Sequence, residues 1–224
     1  RSGRIAKGSE ADWAWIESSG ADVQRIRCDV SDDSETLSTA RTYLLSESKR
    51  LTGLFHSAHM LADAALANQA ASNFRAAYAP KVDGARALHA IGSTASLEHM
   101  SVFSSIAGLL GSSMQAPHSA SSSWLVSFAH CRRAVGLQGH CIEWGAVAEI
   151  GYAARHGADK RAGSRGLGVI TVAAARDALS MMLLPAAQSF VVIPANWSVL
   201  LGKGSDDASG LLSPYAHLGA RDDN

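Results

Sequence analysis

Short apolar runs alternate with longer amphipathic stretches along this chain. Val23–Val30 alternates apolar and polar residues, as a strand with one covered face does, and Leu51–Ala58 fits a buried strand. Ser9 and either Ser31 or Asp32 stand where helix caps are expected. The predicted strands are 23–30, 51–58, 98–104, 138–144 and 189–193, and the predicted helices are 9–18, 32–48, 68–91 with an interruption at Pro80, 118–135 ended by Gly136, and 172–184.

This alternation of strands and helices predicts an α/β fold, with a Rossmann-like parallel sheet covered by helices on both faces. The 224 residues are 47% hydrophobic, which suffices for one buried core. We expect one domain over 1–201, followed by a linker or disordered tail over 202–224, which is rich in Gly, Ser and Asp. Because the chain starts with Arg1 rather than methionine, we expect it to be a segment of a longer polypeptide.

Charge and cysteine content narrow the function classes. Twenty basic and twenty acidic residues give a formal net charge of zero, which predicts neither nucleic-acid binding nor attraction to a membrane surface. Cys28, Cys131 and Cys141 are few and widely spaced, as expected of reduced thiols in a cytoplasmic protein. His56 and His59 have no third ligand placed by any pattern, so no metal site is predicted.

Polar residues of the types that take part in catalysis and ligand binding lie at the ends of predicted strands. In open parallel sheets, ligands bind beyond the carboxyl ends of the strands. The residues at these ends are Asp29, His56 to His59, Ser104, Ser105, and Trp144 to Ala146. We therefore expect the candidate site at this edge of the sheet.

One segment carries a specific pattern. Phe103-Ser-Ser-Ile-Ala-Gly-Leu-Leu-Gly111 is followed by His118 and Ser122. The segment resembles the catalytic stretch of the ketoreductase domains of modular polyketide synthases, which belong to the short-chain dehydrogenase/reductase superfamily. There it has the form FSS-x-AG-x-x-G followed by Tyr-Ala-x-x-Asn. His118 stands at the tyrosine position and Ser122 at the asparagine position.

Further motifs extend the resemblance to about Leu201, in register from Lys81 to His118. Lys81-Val-Asp-Gly-Ala85 is similar to the family's KVDGA, which carries the active-site lysine. The resemblance also implies cofactor contacts from Arg1, from Asp29 and Val30 in a CDV motif, and from His56, Ala58 and His59 in a segment that corresponds to HAAG. It implies substrate contacts from Asp63 in Leu61-Ala62-Asp63, which is similar to an LDD motif of one stereochemical class, and from Trp144 and Gly145.

The resemblance implies a reaction. Members of the family reduce a β-ketoacyl thioester held by phosphopantetheine on an acyl carrier protein, with NADPH as the hydride donor and neighbouring synthase domains as partners. Lys81 and Ser105 match the family's lysine and serine, but the tyrosine that donates the proton is replaced by His118. The first strand of the fold and its glycine-rich, pyrophosphate-binding turn are missing from this sequence.

The three departures from the family pattern predict a weakened site. A lysine ammonium beside His118 lowers the pKa of its imidazole, and the shorter ring aims its nitrogens differently from a phenol. Ser122 is expected to reach its neighbours only through water, because it is shorter than asparagine. His59 stands where the family has glycine; it either crowds the nicotinamide ribose or points to solvent.

Three functional hypotheses remain open from the sequence. The first is a ketoreductase domain whose reduction is impaired, with residual activity from Lys81, Ser105 and His118. The second is a catalytically inactive structural domain of the synthase. The third is a redox-silent domain that epimerises the α-carbon of the bound acyl chain.

Overall fold

A computed structural model describes residues 5, 8–43, 50–148, 166–184, 189–201 and 210–219. The strands are β1 Gly53–His56, β2 His99–Ser105, β3 His140–Trp144, β4 Ala146–Val147, β5 Val169–Ile170 and β6 Phe190–Val192. The helices are α1 Glu10–Ser18, α2 Asp33–Tyr43, α3 Ala71–Tyr78, α4 Gly84–Gly92, α5 Ala107–Leu110, α6 Ala116–Ala134, α7 Val172–Met182, α8 Trp197–Leu200 and α9 Ala216–Gly219. A π-helical turn spans Ala79–Asp83, and single 3₁₀ turns span Leu66–Asn68 and Ser213–Tyr215.

The main sheet has the order β1-β2-β3-β6, and all of its strands are parallel. Four of the five predicted strands form this sheet, which confirms the predicted α/β fold. A separate pair, β4 and β5, is also parallel. Parallel strands need crossover connections, and here α3 and α4 connect β1 to β2 while α5 and α6 connect β2 to β3.

The core lies between the sheet and helices α4 and α6. Val102 and Cys141 are register partners on β2 and β3, and they pack with Leu125 and Ala129 of α6. Ile142 points to the opposite face, because side chains alternate along a strand, and it is also completely buried. Both faces of the sheet are therefore covered, which explains why its strands carry apolar residues without strict alternation.

The predicted strand over 23–30 is wrong. This segment has no regular secondary structure, and Val23 is 36% exposed. Alternation of side chains describes which residues suit a half-covered strand, but a strand also needs a neighbouring backbone to complete its hydrogen bonds. No strand in the described part of the chain lies beside 23–30.

The predicted interruption at Pro80 is also wrong. The π-helical turn continues α3 into α4, and Pro80, Lys81 and Val82 are buried within it. A wider turn accommodates a residue that has no N–H to donate, so proline does not end the helix here. Gly136 follows the C-terminal end of α6 with a φ of 78°, as predicted.

Part of the predicted tail packs against the domain. Leu212 is buried with Leu167 and Leu200, and the ring of Tyr215 stacks on Trp197 with centroids 5.2 Å apart. Residues 210–219 thus form two short helical turns on an apolar cluster rather than a free linker. The boundary predicted at residue 201 stays a prediction.

Candidate active site

Lys81 is the central charged group of the candidate site. The π-helical turn places it beneath the carboxyl end of the sheet, where the residue is only 2% exposed. Its Nζ donates a hydrogen bond to Ser122 Oγ at 2.7 Å and lies 3.4 Å from His118 Nδ1. No carboxylate in the described part of the chain forms an ion pair with it. The site therefore holds a buried cation surrounded by neutral polar groups.

Helix α6 presents His118 and Ser122 on one face, because residues four apart lie one above the other. The Ser122 hydroxyl accepts from Lys81 and donates to the His118 carbonyl at 2.7 Å. The expectation that Ser122 acts only through water is wrong, because the flexible lysine side chain reaches the shorter residue directly. Ser104 on β2 donates to the Ser122 carbonyl at 2.9 Å and fixes α6 against the sheet.

Burial controls the protonation of both basic groups. Desolvation lowers the pKa of Lys81 from 10.5 to about 8. Desolvation also lowers the pKa of His118 to about 3, with further contributions from the charges of Lys81 and His59. The predicted direction for His118 is confirmed, although burial is a larger cause than the lysine. At neutral pH, a neutral imidazole thus faces an ammonium group.

The histidines after β1 have different environments. His56 is buried, and its Nε2 lies 3.0 Å from the Lys81 carbonyl oxygen. Desolvation lowers the pKa of His56, so its neutral form supports the turn that carries Lys81. His59 is exposed and Ala58 is partly buried. Their cofactor contacts stay predictions, although His56 is placed to position Lys81.

Ser105 lies at the carboxyl end of β2, beside Trp144 of β3 in register. Its hydroxyl accepts from the Ala107 N–H at 3.2 Å, and within the described ranges it has no hydrogen bond to Lys81, His118 or Ser122. The structure therefore brings three of the four predicted catalytic residues into contact. Ser105 lies at the same edge of the sheet, but its hydroxyl bonds to the start of α5 instead.

Trp144 and Gly145 begin the segment after β3. The Trp144 ring packs edge-on against Phe103, and its Nε1 is buried without a hydrogen-bond partner among the described residues. Gly145 donates to the Val192 carbonyl at 3.0 Å, and a Cβ there would lie 2.8 Å from Ile193 Cδ1. Glycine is therefore required for packing at this point, and the substrate role of both residues stays a prediction.

Asp63 joins the segment after β1 to the start of α6. Its carboxylate accepts from Gln115 Nε2 at 3.0 Å, and the Ala64 N–H donates to the Met114 carbonyl at 2.9 Å. Sequence reasoning missed the part played by Gln115. The available signal was its position three residues before His118, at the start of α6.

The residues predicted to contact the adenine end of a cofactor are described in part. The Asp29 carboxylate accepts from the Ser31 N–H and hydroxyl, at 3.2 and 2.6 Å. Val30 packs against the α4 backbone at Gly84, where an added Cβ would lie 3.0 Å from Val30 Cγ2. Arg1 lies outside the described residues.

The described residues fit one end of a nicotinamide nucleotide. Lys81 offers a buried ammonium without a carboxylate partner at the end where the family lysine acts. The pyrophosphate end needs backbone N–H groups from a glycine-rich turn after a strand, and no strand in the described part of the chain is followed by such a turn. Within the described ranges, no group of three or more His, Cys, Asp or Glu could hold a metal ion, and no helix is long and apolar enough to cross a membrane.

Relatives of known sequence match parts of this chain. The phthioceranic/hydroxyphthioceranic acid synthase of Mycobacterium tuberculosis (strain ATCC 25618 / H37Rv) is 44% identical over 99 residues, 44% of this chain and 5% of that protein. The highly reducing polyketide synthase ACTTS3 of Alternaria alternata is 32% identical over 153 residues, 67% of this chain and 6% of that protein. The chain therefore spans a small fraction of these much longer synthases.

Solved structures match nearly the whole chain. A structure of A-type ketoreductases from a modular polyketide synthase has a TM-score of 0.83 at 27% identity, over 96% of this chain and 46% of that one. An A1-type ketoreductase has a TM-score of 0.84 at 26% identity, over 96% and 45%. This chain thus spans about half the length of these structures. Ketoreductase domains generally use a nicotinamide cofactor, NADH or NADPH.

The family model described as "KR domain" matches residues 1–149, which include Lys81, Ser105, His118 and Ser122. The match covers three of the four strands of the main sheet in full, β1, β2 and β3, and ends before β6. On this evidence, together with the fold, the chain belongs to the ketoreductase (KR) domain family of polyketide synthases.

Proposed function

We propose that this chain forms the catalytic part of an NADPH-dependent β-ketoacyl reductase domain whose reduction step is impaired. The acyl substrate would be held by phosphopantetheine on an acyl carrier protein, and the neighbouring domains of a polyketide synthase would be its partners. The observation that carries the proposal is the contact between Lys81 Nζ and His118 Nδ1, at the position where the family has a tyrosine.

Reduction of a ketone creates negative charge on its oxygen, so the site must hold a proton donor there. When bound, the nicotinamide supplies the hydride. Lys81 and Ser105 are the retained donors at this edge of the sheet. His118 is not an imidazolium at neutral pH, because its pKa is about 3. The strong acid that an imidazolium would provide is therefore missing.

The remaining polar groups support binding and orientation. Ser122 holds Lys81 by accepting a hydrogen bond from its Nζ at 2.7 Å, and His56 contacts the Lys81 carbonyl oxygen at 3.0 Å. The hydrogen bond between Gln115 and Asp63 connects the segment after β1 to the start of α6, and an acyl substrate would bind against this connection. The position of Asp63 in an LDD-like motif favours the hydroxyl configuration of that class.

The test restores the family residues. His118→Tyr, alone and with Ser122→Asn, is introduced into the longest natural polypeptide that contains these 224 residues. NADPH oxidation is followed with the N-acetylcysteamine thioester of 3-oxobutanoic acid. We expect the turnover rate to rise about 100-fold or more, because general acid catalysis typically contributes about 10²–10⁴ in rate.

His130→Tyr is the matched control, since His130 is exposed on the same helix and lies about 18 Å along it from His118. It should leave the rate unchanged. If His118→Tyr changes the rate no more than this control does, the proposed impairment at His118 is refuted. If neither the unmodified protein nor its tyrosine variant oxidises NADPH with the thioester, the proposed reductase function is refuted.

A further inference from the structure

The position of Lys81 favours one tautomer of the His118 imidazole. An ammonium group can only donate, so the tautomer with an unprotonated Nδ1 suits a Lys81 Nζ that lies 3.4 Å away. The proton of the neutral ring therefore sits on Nε2. Within the described part of the chain, no protein group hydrogen-bonds to Nε2, and the ring is only partly buried. Nε2–H is thus the donor left for a ligand.

The groups around the pair keep Lys81 protonated and His118 neutral. The titratable groups that face the pair or its neighbours are His56 on β1, His59 on the following loop, and Cys141 and Glu143 on β3. Burial raises the pKa of the Cys141 thiol to about 12, so it stays neutral. With Lys81 at a pKa of about 8, the ammonium persists to neutral pH beside a neutral ring.

We propose that His118 acts as a neutral hydrogen-bond donor and proton relay, which passes a proton from Lys81 to the carbonyl oxygen of the substrate. This inference rests on the proposed reductase function. It assigns the residual catalysis to a lysine–imidazole pair rather than to an imidazolium acid. His118 then contacts the reacting oxygen, and Lys81 is the proton source behind it.

The proton balance is simple. As hydride reaches the carbonyl carbon, the C=O electron pair moves to oxygen, and that oxygen takes the proton from His118 Nε2. The Nε2–H bond breaks while Nδ1 takes a proton from Lys81 Nζ, which becomes a neutral amine. The imidazole stays neutral and ends as the other tautomer. Solvent then returns one proton to the pair.

The same geometry explains why the relay is slow. The Nζ to Nδ1 distance of 3.4 Å exceeds the usual 2.7–3.2 Å of a protein hydrogen bond. Lys81 also donates to Ser122 at 2.7 Å, so this bond competes for the ammonium protons. Proton transfer therefore requires the two side chains to approach each other first.

The first experiment needs no substrate or cofactor. Nitrogen-15 NMR of the labelled full chain reports the His118 tautomer, and the signal is assigned by its loss in His118→Phe. We expect an Nε2–H tautomer with no protonation between pH 5 and 9. An Nδ1–H tautomer would overturn the relay while leaving the proposed reductase function intact. Titration of His118 near 6.5 would overturn the relay and also the argument that the impaired site lacks an imidazolium.

The second experiment uses turnover. The relay predicts a rate that is constant below pH 8 and falls above it, as Lys81 loses its proton. His118→Gln keeps a neutral N–H donor but cannot pass a proton, so kcat should fall about 100-fold with little change in KM. Equal kcat in His118→Gln and the unmodified chain would refute the relay. Failure of the reductase proposal is recognised separately, by the absence of NADPH oxidation in the unmodified chain and in His118→Tyr alike.

Discussion

Gly108 offers the sharpest test of how the fold holds the site. It lies in α5, directly against the segment of α6 that carries Ser122. A Cβ added at Gly108 would lie 2.9 Å from the backbone nitrogen of Ser123 and 3.0 Å from Ser122 Cβ. Backbone atoms cannot rotate away as a flexible side chain does, so Gly108→Ala must push the two helices apart.

Overpacking of this kind costs about 1–3 kcal/mol. For a chain of this size, each kcal/mol lowers Tm by about 2–4 °C. Gly210→Ala is the control, because a Cβ there meets no atom within 4 Å and its φ is not positive. Thermal unfolding by circular dichroism measures both variants. If Gly108→Ala melts within 1 °C of Gly210→Ala, the close approach of α5 to α6 is not present in solution.

Three further predictions concern the buried polar and apolar groups. The folded-state pKa of Lys81 is about 8 and its ordinary value is 10.5, so the unfolded chain binds more protons than the folded chain between these pH values. The free energy of unfolding should therefore rise by about 3 kcal/mol from pH 8 to pH 10.5. Profiles of Tm against pH should show this rise in the unmodified chain and not in Lys81→Met. Ser122→Ala removes the acceptor of a buried ammonium and should lower the free energy of unfolding at pH 7, measured by urea titration, by about 1–3 kcal/mol. Ser119→Ala removes a buried hydroxyl that has no hydrogen-bond partner among the described residues, so it should not lower this free energy. Leu125→Ala should cost about 2–5 kcal/mol, since the side chain is completely buried, while Val135→Ala, at a position 72% exposed, should change stability by less than about 0.5 kcal/mol.

The sequence predicts the central strands of the sheet better than the segment near the N-terminus. β2 and β3 are buried on both faces of the sheet, and each contains a short apolar run, Val102–Phe103 and Cys141–Ile142, which indicates a covered strand. The segment over 23–30 has a convincing alternation, but a strand depends on a partner backbone that the side-chain pattern does not describe. The same limit applies at Pro80, where a π-helical turn accommodates the residue that normally stops a helix.

The site could be predicted as far as motif spacing allows. The register from Lys81 to His118 and Ser122 brings these residues together, as the family resemblance implies. The direct bond from Lys81 to Ser122 could not be predicted, because it depends on how a four-carbon side chain bends in a buried space. The dominance of desolvation over charge at His118 could not be predicted either, since burial is a property of the folded chain.

The retention of Lys81 bears on the choice between an impaired enzyme and a purely structural domain. A buried ammonium without a carboxylate partner destabilises the fold at neutral pH, and its pKa of about 8 is a measure of that cost. An apolar residue of similar size would remove the cost, as replacements of buried charges by apolar residues often do. A scaffold gains nothing from the charge, whereas a carbonyl-binding site needs it. We therefore infer that this position serves chemistry, and a Lys81→Met variant that is more stable but inactive would be its expected signature.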